Sequence, residues 1–217
     1  MWLLKELVAQ TSANQDFVLL SDGGHFENMG LYELVRRRCR FIILSDAEED
    51  GQFKLEGIGG AIRKCRDDFG VVINLNIDAL RPLGDPGFSR LHFSVGEILY
   101  PGEETAGKLV YIKSSVSNDE PLDVCEFRNR HKEFPHTSTA NQFFDESHFE
   151  SYRQLGHHIA EQIFTTDMPA LPVTGANIER AVDDLFSHIG DRWEDLLKDA
   201  KAKPLSEDDP EKSAGER

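Results

Sequence analysis

Two short apolar runs, each ending in Leu-Ser-Asp, constrain the fold of this chain more than any other feature. Residues 17–20 (FVLL) lead into Asp22, and residues 41–44 (FIIL) lead into Asp46. A run this short and wholly apolar, closed by polar or glycine residues, is typical of a fully buried strand. Between the runs, apolar residues recur at helical spacing and predict a helix of about three turns, at Leu31, Leu34 and Val35. Strand, helix and strand at this spacing predict a parallel βαβ unit.

The pattern changes after a second predicted helix, whose apolar face carries Ile58, Ile62, Cys65 and Phe69. Apolar residues alternate over 71–77 and 91–99, and a third run covers 109–112. Turn sequences such as Gly-Asp-Pro-Gly separate these runs, which predicts an antiparallel meander that extends the parallel sheet.

The last third of the chain is predicted to hold a surface segment, two helices and a tail. Residues 119–147 are mostly polar and aromatic, and we interpret them as an ordered surface segment. Helical spacing predicts helices over 152–163 and 178–189. Residues 201–217 carry little apolar surface and are predicted to be disordered, so that residues 1–200 form one domain.

Charge and composition exclude several functional classes. The 24 Lys and Arg residues against 39 Asp and Glu give a net charge of −15, which repels nucleic-acid phosphates. The longest aliphatic-aromatic runs are four residues, far below the roughly 20 that cross a bilayer. Three cysteines, Cys39, Cys65 and Cys125, have no metal-type spacing and are interpreted as reduced, buried thiols. We expect a cytoplasmic protein, or one peripheral to the inner face of a membrane.

Asp22 is the principal catalytic candidate. It follows a predicted buried strand and precedes Gly23 and Gly24, which allow a tight turn and close backbone approach. The carboxyl ends of parallel strands are where ligands bind. Partial desolvation there would raise the pKa of this carboxylate towards that of a useful base. The structural alternative is a turn or N-cap aspartate that accepts hydrogen bonds from backbone N–H groups.

The stretch from 20 to 47, LSDGGHFENMGLYELVRRRCRFIILSDA, resembles the Asp-Gly-Gly segment of the patatin-like phospholipases, in their large bacterial form. The resemblance continues through FPHTSTA at 134–140, QFFDE at 142–146 and FESYR at 149–153. It implies a three-layer α/β/α patatin-like sheet, here partial and with an antiparallel extension.

The resemblance also implies a serine acyl hydrolase that uses a Ser–Asp dyad, with lipid or another acyl ester as substrate and no metal or organic cofactor. Asp22 matches the dyad aspartate, and Gly23 and Gly24 match the substrate-binding positions. The family places its serine on a Gly-x-Ser-x-Gly elbow before the Asp-Gly-Gly motif. The 217 residues contain no such sequence, and 21 residues precede Asp22. We therefore expect the C-terminal part of a larger hydrolase, inactive alone, with an N-terminal nucleophile-bearing segment as its partner.

Two rival functions remain open. The chain could be a non-catalytic homologue that binds lipid or a protein partner. It could instead be a metal-dependent phosphoesterase that uses Asp22, His25 and Asp46, although no ligand spacing here is diagnostic. For Asp46 a structural turn or cap is favoured.

Further side chains are interpreted structurally. For the arginines at 36–40, stabilisation of a helix C-terminus is favoured over attraction of anionic lipid. His157 and His158 are neighbours on a helix, so one of them is expected at the surface. Hydrogen-bonding loop roles are predicted for His131, His136 and His148. Packing roles are favoured for Phe143, Phe144 and Phe149, and bordering an acyl-chain pocket is the alternative.

Overall fold

A four-stranded mixed sheet organises the part of the chain that the structure, a computed structural model, describes: residues 14, 22–84, 87–138, 140–165, 167–168 and 177–202. The strands are β1 (Phe41–Asp46), β2 (Val72–Leu75), β3 (Phe93–Leu99) and β4 (Gly107–Lys113). The α-helices are α1 (Leu31–Arg36), α2 (Glu56–Phe69), α3 (Leu122–Arg130), α4 (Glu146–Ile163) and α5 (Ile178–Ala202). Short 3₁₀ helices cover Gly23–His25 and Asp78–Leu80. The predicted α/β class is confirmed.

The strand order is β1-β4-β3-β2, with β1 parallel to β4 and the other two pairs antiparallel. The antiparallel meander predicted from the alternating runs is therefore confirmed, and its last strand joins β1. Because β3 runs against β4, the start of β3 lies at the same edge of the sheet as the ends of β1 and β4. That edge holds the candidate sites described below.

Helices cover both faces of the sheet. Along β4, Leu109 and Tyr111 point into one core and Val110 and Ile112 into the other, as the two-residue period of a strand requires. The first core contains buried residues of α1 and α2, among them Leu31, Val35, Ile58, Ala61 and Cys65. The second contains buried residues of α3, α4 and α5, among them Phe127, Leu155, Ile159, Phe186 and Ile189.

The helix predicted after Leu31 is shorter than expected. It has six residues rather than about three turns, because Arg38 adopts a left-handed backbone with φ 57°. The Arg38 side chain then donates to Glu103 at 2.7 Å and to the carbonyl of Pro101 at 3.0 Å. These contacts turn the chain into β1 soon after α1 ends.

The described residues within 119–147 are ordered, as predicted, but they do not lie only at the surface. They contain α3 and the start of α4. Val124 and Phe127, three residues apart on α3, are buried in the second core. Charged residues interrupt the short apolar face of α3. Its periodicity alone therefore does not predict burial, which depends on tertiary contacts.

Some predictions fall on residues that the structure does not describe. They are the strand at 17–20, and hence the first βαβ unit, and residues 203–217 of the predicted tail. Helix α5 extends through Ala202, two residues into the stretch predicted to be disordered. The three cysteines are free thiols; Cys65 is buried, whereas Cys39 and Cys125 are only half-buried. None of the helices in the described ranges has the length and apolarity needed to span a membrane.

Candidate functional site

A buried ion pair marks the edge where parallel strands β1 and β4 end. Their register places Asp46 opposite Lys113, and Asp46 Oδ2 accepts a hydrogen bond from Lys113 Nζ at 3.0 Å. Tyr111 donates its hydroxyl to the same oxygen. All three side chains are buried. Burial, followed by the adjacent Asp46 carboxylate, raises the pKa of Tyr111, so this phenol remains a neutral donor.

Asp46 also fixes the loop that follows β1. Its Oδ1 accepts from the Glu48 backbone N–H at 2.9 Å, and Glu48 Oε1 accepts from Asn28 Nδ2 at 3.1 Å. Glu48 lies against the first turn of α2, where a Cβ on Gly57 would approach Glu48 Oε2 to 1.8 Å. Hydrogen bonds thus connect the ion pair to the Asp-Gly-Gly segment. The structural turn role favoured for Asp46 is confirmed by its bond to the Glu48 N–H, and the buried Lys113 is a further partner that the sequence did not indicate.

An open cleft of about 730 Å³ lies at this edge of the sheet. Charged and polar side chains dominate its wall, including Asn28, Glu48, Asp50, Lys54, Lys132 and His136. His136 Nδ1 accepts a hydrogen bond from the Asp50 backbone N–H at 3.4 Å. Burial, and to a lesser extent Lys113, lowers the pKa of His136. His136 is therefore a hydrogen-bonded loop residue, as predicted.

Asp22 lies beside this cleft, at the start of the 3₁₀ helix Gly23–His25. Its Oδ1 accepts from the Gly24 N–H at 2.9 Å, which is the turn-capping geometry of the structural alternative. A Cβ built on Gly24 would lie 3.4 Å from Asp22 Oδ1 and 3.0 Å from Asn28 Oδ1. Asp22 therefore sits next to Asn28, which lines the cleft. Its Oδ2 has no hydrogen-bond partner among the described residues.

The expected partial desolvation of Asp22 is not observed, because the residue is exposed. Gly24 has the predicted close approach, since a side chain there would press on Asn28. At Gly23 an added Cβ would meet nothing within 4 Å in the described structure, so packing there does not require glycine. Whether Asp22, Gly23 and Gly24 bind or process a substrate stays a prediction.

Other residues of this segment have structural partners. Glu27 accepts from the backbone N–H groups of Met29 at 2.7 Å and Tyr32 at 3.3 Å, so it caps the start of α1. The arginines are paired with carboxylates: Arg36 and Arg37 with Glu33, Arg38 with Glu103, and Arg40 with Glu179. These pairs support the structural interpretation of the arginine cluster.

The geometry does not support the metal-dependent phosphoesterase. In the described part of the chain, one group of His, Cys, Asp or Glu side chains has the spacing of a metal site, and it consists of His92, Asp119 and His158. Asp22, His25 and Asp46 do not form such a group. Asp46 is instead saturated by Lys113, Tyr111 and Glu48.

The other histidines and the phenylalanines differ in how well they were predicted. His157 is exposed and His158 points to Asp119, as expected for helix neighbours. His148 is not a loop residue but a buried residue of α4, bonded to Thr137 Oγ1 at 3.1 Å. Packing roles for Phe143 and Phe149 are wrong, because both side chains are largely exposed.

Sequence reasoning missed Lys113, Tyr111, His92 and Asp119. Tyr111 lies in the predicted run 109–112 and Lys113 directly after it. That pattern does not indicate a carboxylate partner 65 residues away or more. His92 lies between Leu91 and Phe93, and nothing in that local pattern indicates its contacts with Ser115 and Ser117. No sequence-family profile, curated protein or solved structure matches this chain.

Proposed function

We propose that this chain is the C-terminal part of a patatin-like acyl hydrolase domain and that it supplies the aspartate of a Ser–Asp dyad. The observation that carries the proposal is the position of Asp22, an exposed carboxylate beside a cleft at the carboxyl ends of parallel strands. Ligands bind at that edge in open α/β sheets. One carboxylate oxygen holds the turn through Gly24, and the other is accessible for proton transfer.

The proposed reaction needs a serine from a segment that this sequence does not contain, because no Gly-x-Ser-x-Gly occurs in it. Asp22 Oδ2 takes the hydroxyl proton as the serine oxygen attacks the ester carbonyl. Asp22 returns that proton to the alkoxide as the alcohol leaves. It then deprotonates a water molecule that hydrolyses the acyl-serine, and the proton passes back to the serine oxygen.

The hydrogen-bond chain from the sheet edge supports a positioning function. Lys113 and Tyr111 hold Asp46, Asp46 holds Glu48, and Glu48 holds Asn28. Asn28 in turn packs against Gly24, next to Asp22. A general base must be held within hydrogen-bond reach of the proton it abstracts, and this chain of contacts anchors the segment that carries it.

The cleft suits the polar part of an ester substrate. Carboxylates and cations alternate along its wall, for example Glu48, Asp50, Lys54 and Lys132. An acyl chain is stabilised by apolar walls instead. We therefore assign the cleft to the alcohol or head-group side, with the acyl chain bound by the segment that brings the serine.

The test is ester hydrolysis by a polypeptide that joins this chain to the nucleophile-bearing segment, with a nitrophenyl ester as substrate. Asp22→Asn should lower kcat by about 10²–10⁴-fold, the usual contribution of a positioned general base. Asp67→Asn is the matched control, because Asp67 is an exposed carboxylate on α2. It should leave kcat unchanged.

The 217-residue chain alone should hydrolyse the ester no faster than buffer. Turnover by this chain alone that Asp22→Asn abolished would overturn the requirement for an external serine. Equal rates for Asp22→Asn and Asp67→Asn in the joined polypeptide would instead remove Asp22 from the dyad. No turnover by the joined wild-type polypeptide would favour a binding module.

A further inference from the structure

Three side chains from distant segments converge beyond the cleft, outside the proposed dyad. His92 immediately precedes β3, Asp119 lies between β4 and α3, and His158 belongs to α4. One nitrogen or oxygen of each lies within 4.8 Å of those of the other two. Asp119 Oδ1 is 3.0 Å from His158 Nε2 and 3.8 Å from His92 Nε2. Neighbouring ligands of a tetrahedral Zn²⁺ ion, with bonds of about 2.0–2.2 Å, lie about 3.3 Å apart.

The surroundings of His92 fix which of its nitrogens faces the cluster. The ring is completely buried, and its Nδ1 lies 3.0 Å from Ser115 Oγ. Ser115 donates its single hydroxyl proton to the carbonyl of Lys113 at 3.3 Å. It therefore accepts from His92 Nδ1–H, and Nε2 is the ring nitrogen that faces Ser117 and Asp119. A second hydrogen bond of this kind is how proteins orient metal-ligating histidines.

The cluster holds two carboxylates close to His92. Gln162 Nε2 donates to Asp119 Oδ2 at 3.0 Å, and the Ser117 backbone N–H donates to Glu120 Oε1 at 2.6 Å. Ser117 Oγ is 2.8 Å from His92 Nε2 and 3.3 Å from Glu120 Oε1, and it also contacts Asp119 Oδ1. One hydroxyl proton can serve only one of these three acceptors. Neither Asp119 nor Glu120 has a lysine or arginine partner in the described part of the chain.

We propose that His92, Asp119 and His158 bind a divalent transition-metal ion of the Zn²⁺ type. Two imidazole nitrogens and one carboxylate favour Zn²⁺ over Mg²⁺ or Ca²⁺, which prefer oxygen ligands. Glu120 Oε1, 3.8 Å from His92 Nε2, or a water molecule supplies the fourth ligand. The ion would join the start of β3, the loop after β4 and helix α4, and would so stabilise the end of the sheet that also carries the cleft.

The test is Zn²⁺ titration of the chelator-treated, full 217-residue chain by calorimetry, with Co²⁺ absorption as a second readout. About one equivalent of Zn²⁺ should bind, and Co²⁺ should give the intense visible bands of a tetrahedral site. Asp119→Asn and His158→Gln should each weaken Zn²⁺ binding by at least about tenfold. His157→Gln changes the exposed neighbour of His158 and should leave the affinity unchanged.

Asp119 is suited to this test because 58% of its side chain is exposed, and its replacement should preserve the fold. Circular dichroism before titration verifies that it does. Absence of stoichiometric Zn²⁺ binding would overturn the proposal. Equal affinities for the wild-type chain, Asp119→Asn and His158→Gln would also overturn it, because the ion would then be held by other residues.

Discussion

At the scale of single residues, the buried Asp46–Lys113 pair has the clearest energetic consequence. Removing one partner leaves the other charge buried and uncompensated, which costs about 3–5 kcal/mol. We expect Asp46→Asn and Lys113→Met each to lower the free energy of unfolding by that amount. The double variant should be more stable than the two losses added together predict. Urea denaturation of the wild-type chain, the two single variants and the double variant measures this coupling. Strictly additive losses would contradict an interaction between Asp46 and Lys113.

His136 provides a prediction about pH. Its pKa is lowered from 6.5 in the folded protein, mainly by burial, so the unfolded chain binds a proton more readily than the folded one. His136 therefore does not lower the free energy of unfolding above about pH 6.5. It lowers that free energy increasingly as the pH falls below that value.

His136→Gln should make the free energy of unfolding less sensitive to pH between about pH 7.5 and about pH 5.5. Urea denaturation across that range measures the slope. His157→Gln is the control, because His157 is exposed and its replacement should leave the slope unchanged. A wild-type slope in His136→Gln would contradict the assignment.

At the scale of elements, α1 depends on a side-chain cap more than on its own length. It has six residues, and isolated helices this short are unstable in water. Glu27 accepts from the Tyr32 N–H in its first turn and from the Met29 N–H just before it, and Leu31 and Val35 anchor it in the first core. Losing such a cap typically costs about 1 kcal/mol.

Glu27→Ala should therefore lower the free energy of unfolding by about 1 kcal/mol in urea denaturation. Glu49→Ala removes an exposed carboxylate and should change stability by less than about 0.5 kcal/mol. Equal effects of the two substitutions would show that the contacts of Glu27 do not stabilise α1.

The elements that could be predicted from sequence are those whose apolar pattern is strong and local. Residues 41–44 and the alternating runs form strands, and the predicted helical face from Ile58 to Phe69 lies on α2. Helix α3 was missed because Val124 and Phe127 alone form its buried face.

The candidate site, too, could be predicted only where its signal is local in sequence. Asp46 could be predicted at a strand end from its own neighbours in sequence. Its pairing with Lys113 depends on the register between β1 and β4, and the convergence of His92, Asp119 and His158 depends on the packing of α4. Neither arrangement leaves a local pattern.

At the scale of the whole molecule, β1 is one of the two outer strands of the described sheet. Ile43 is 44% exposed there, although helices cover most other apolar side chains of the sheet. The proposed nucleophile-bearing segment would cover such apolar surface, and exposed apolar surface on a sheet edge promotes self-association.

Ile43→Lys should increase the monomeric fraction of the isolated chain, measured by size-exclusion chromatography with light scattering. Leu122→Ser is the matched control, because Leu122 is an exposed apolar residue of α3 away from the sheet. It should change the monomeric fraction less. A wild-type chain that is already a monodisperse monomer would contradict this expectation.

The central claim is that the Asp22 carboxylate meets a serine donated by another segment. The most direct measurement is a crystal structure of the joined polypeptide, in which the distance from Asp22 Oδ2 to that serine Oγ can be read. We predict a separation of about 2.6–3.2 Å. A serine seated far from Asp22, or an Asp22 closed off from any approaching hydroxyl, would contradict the account.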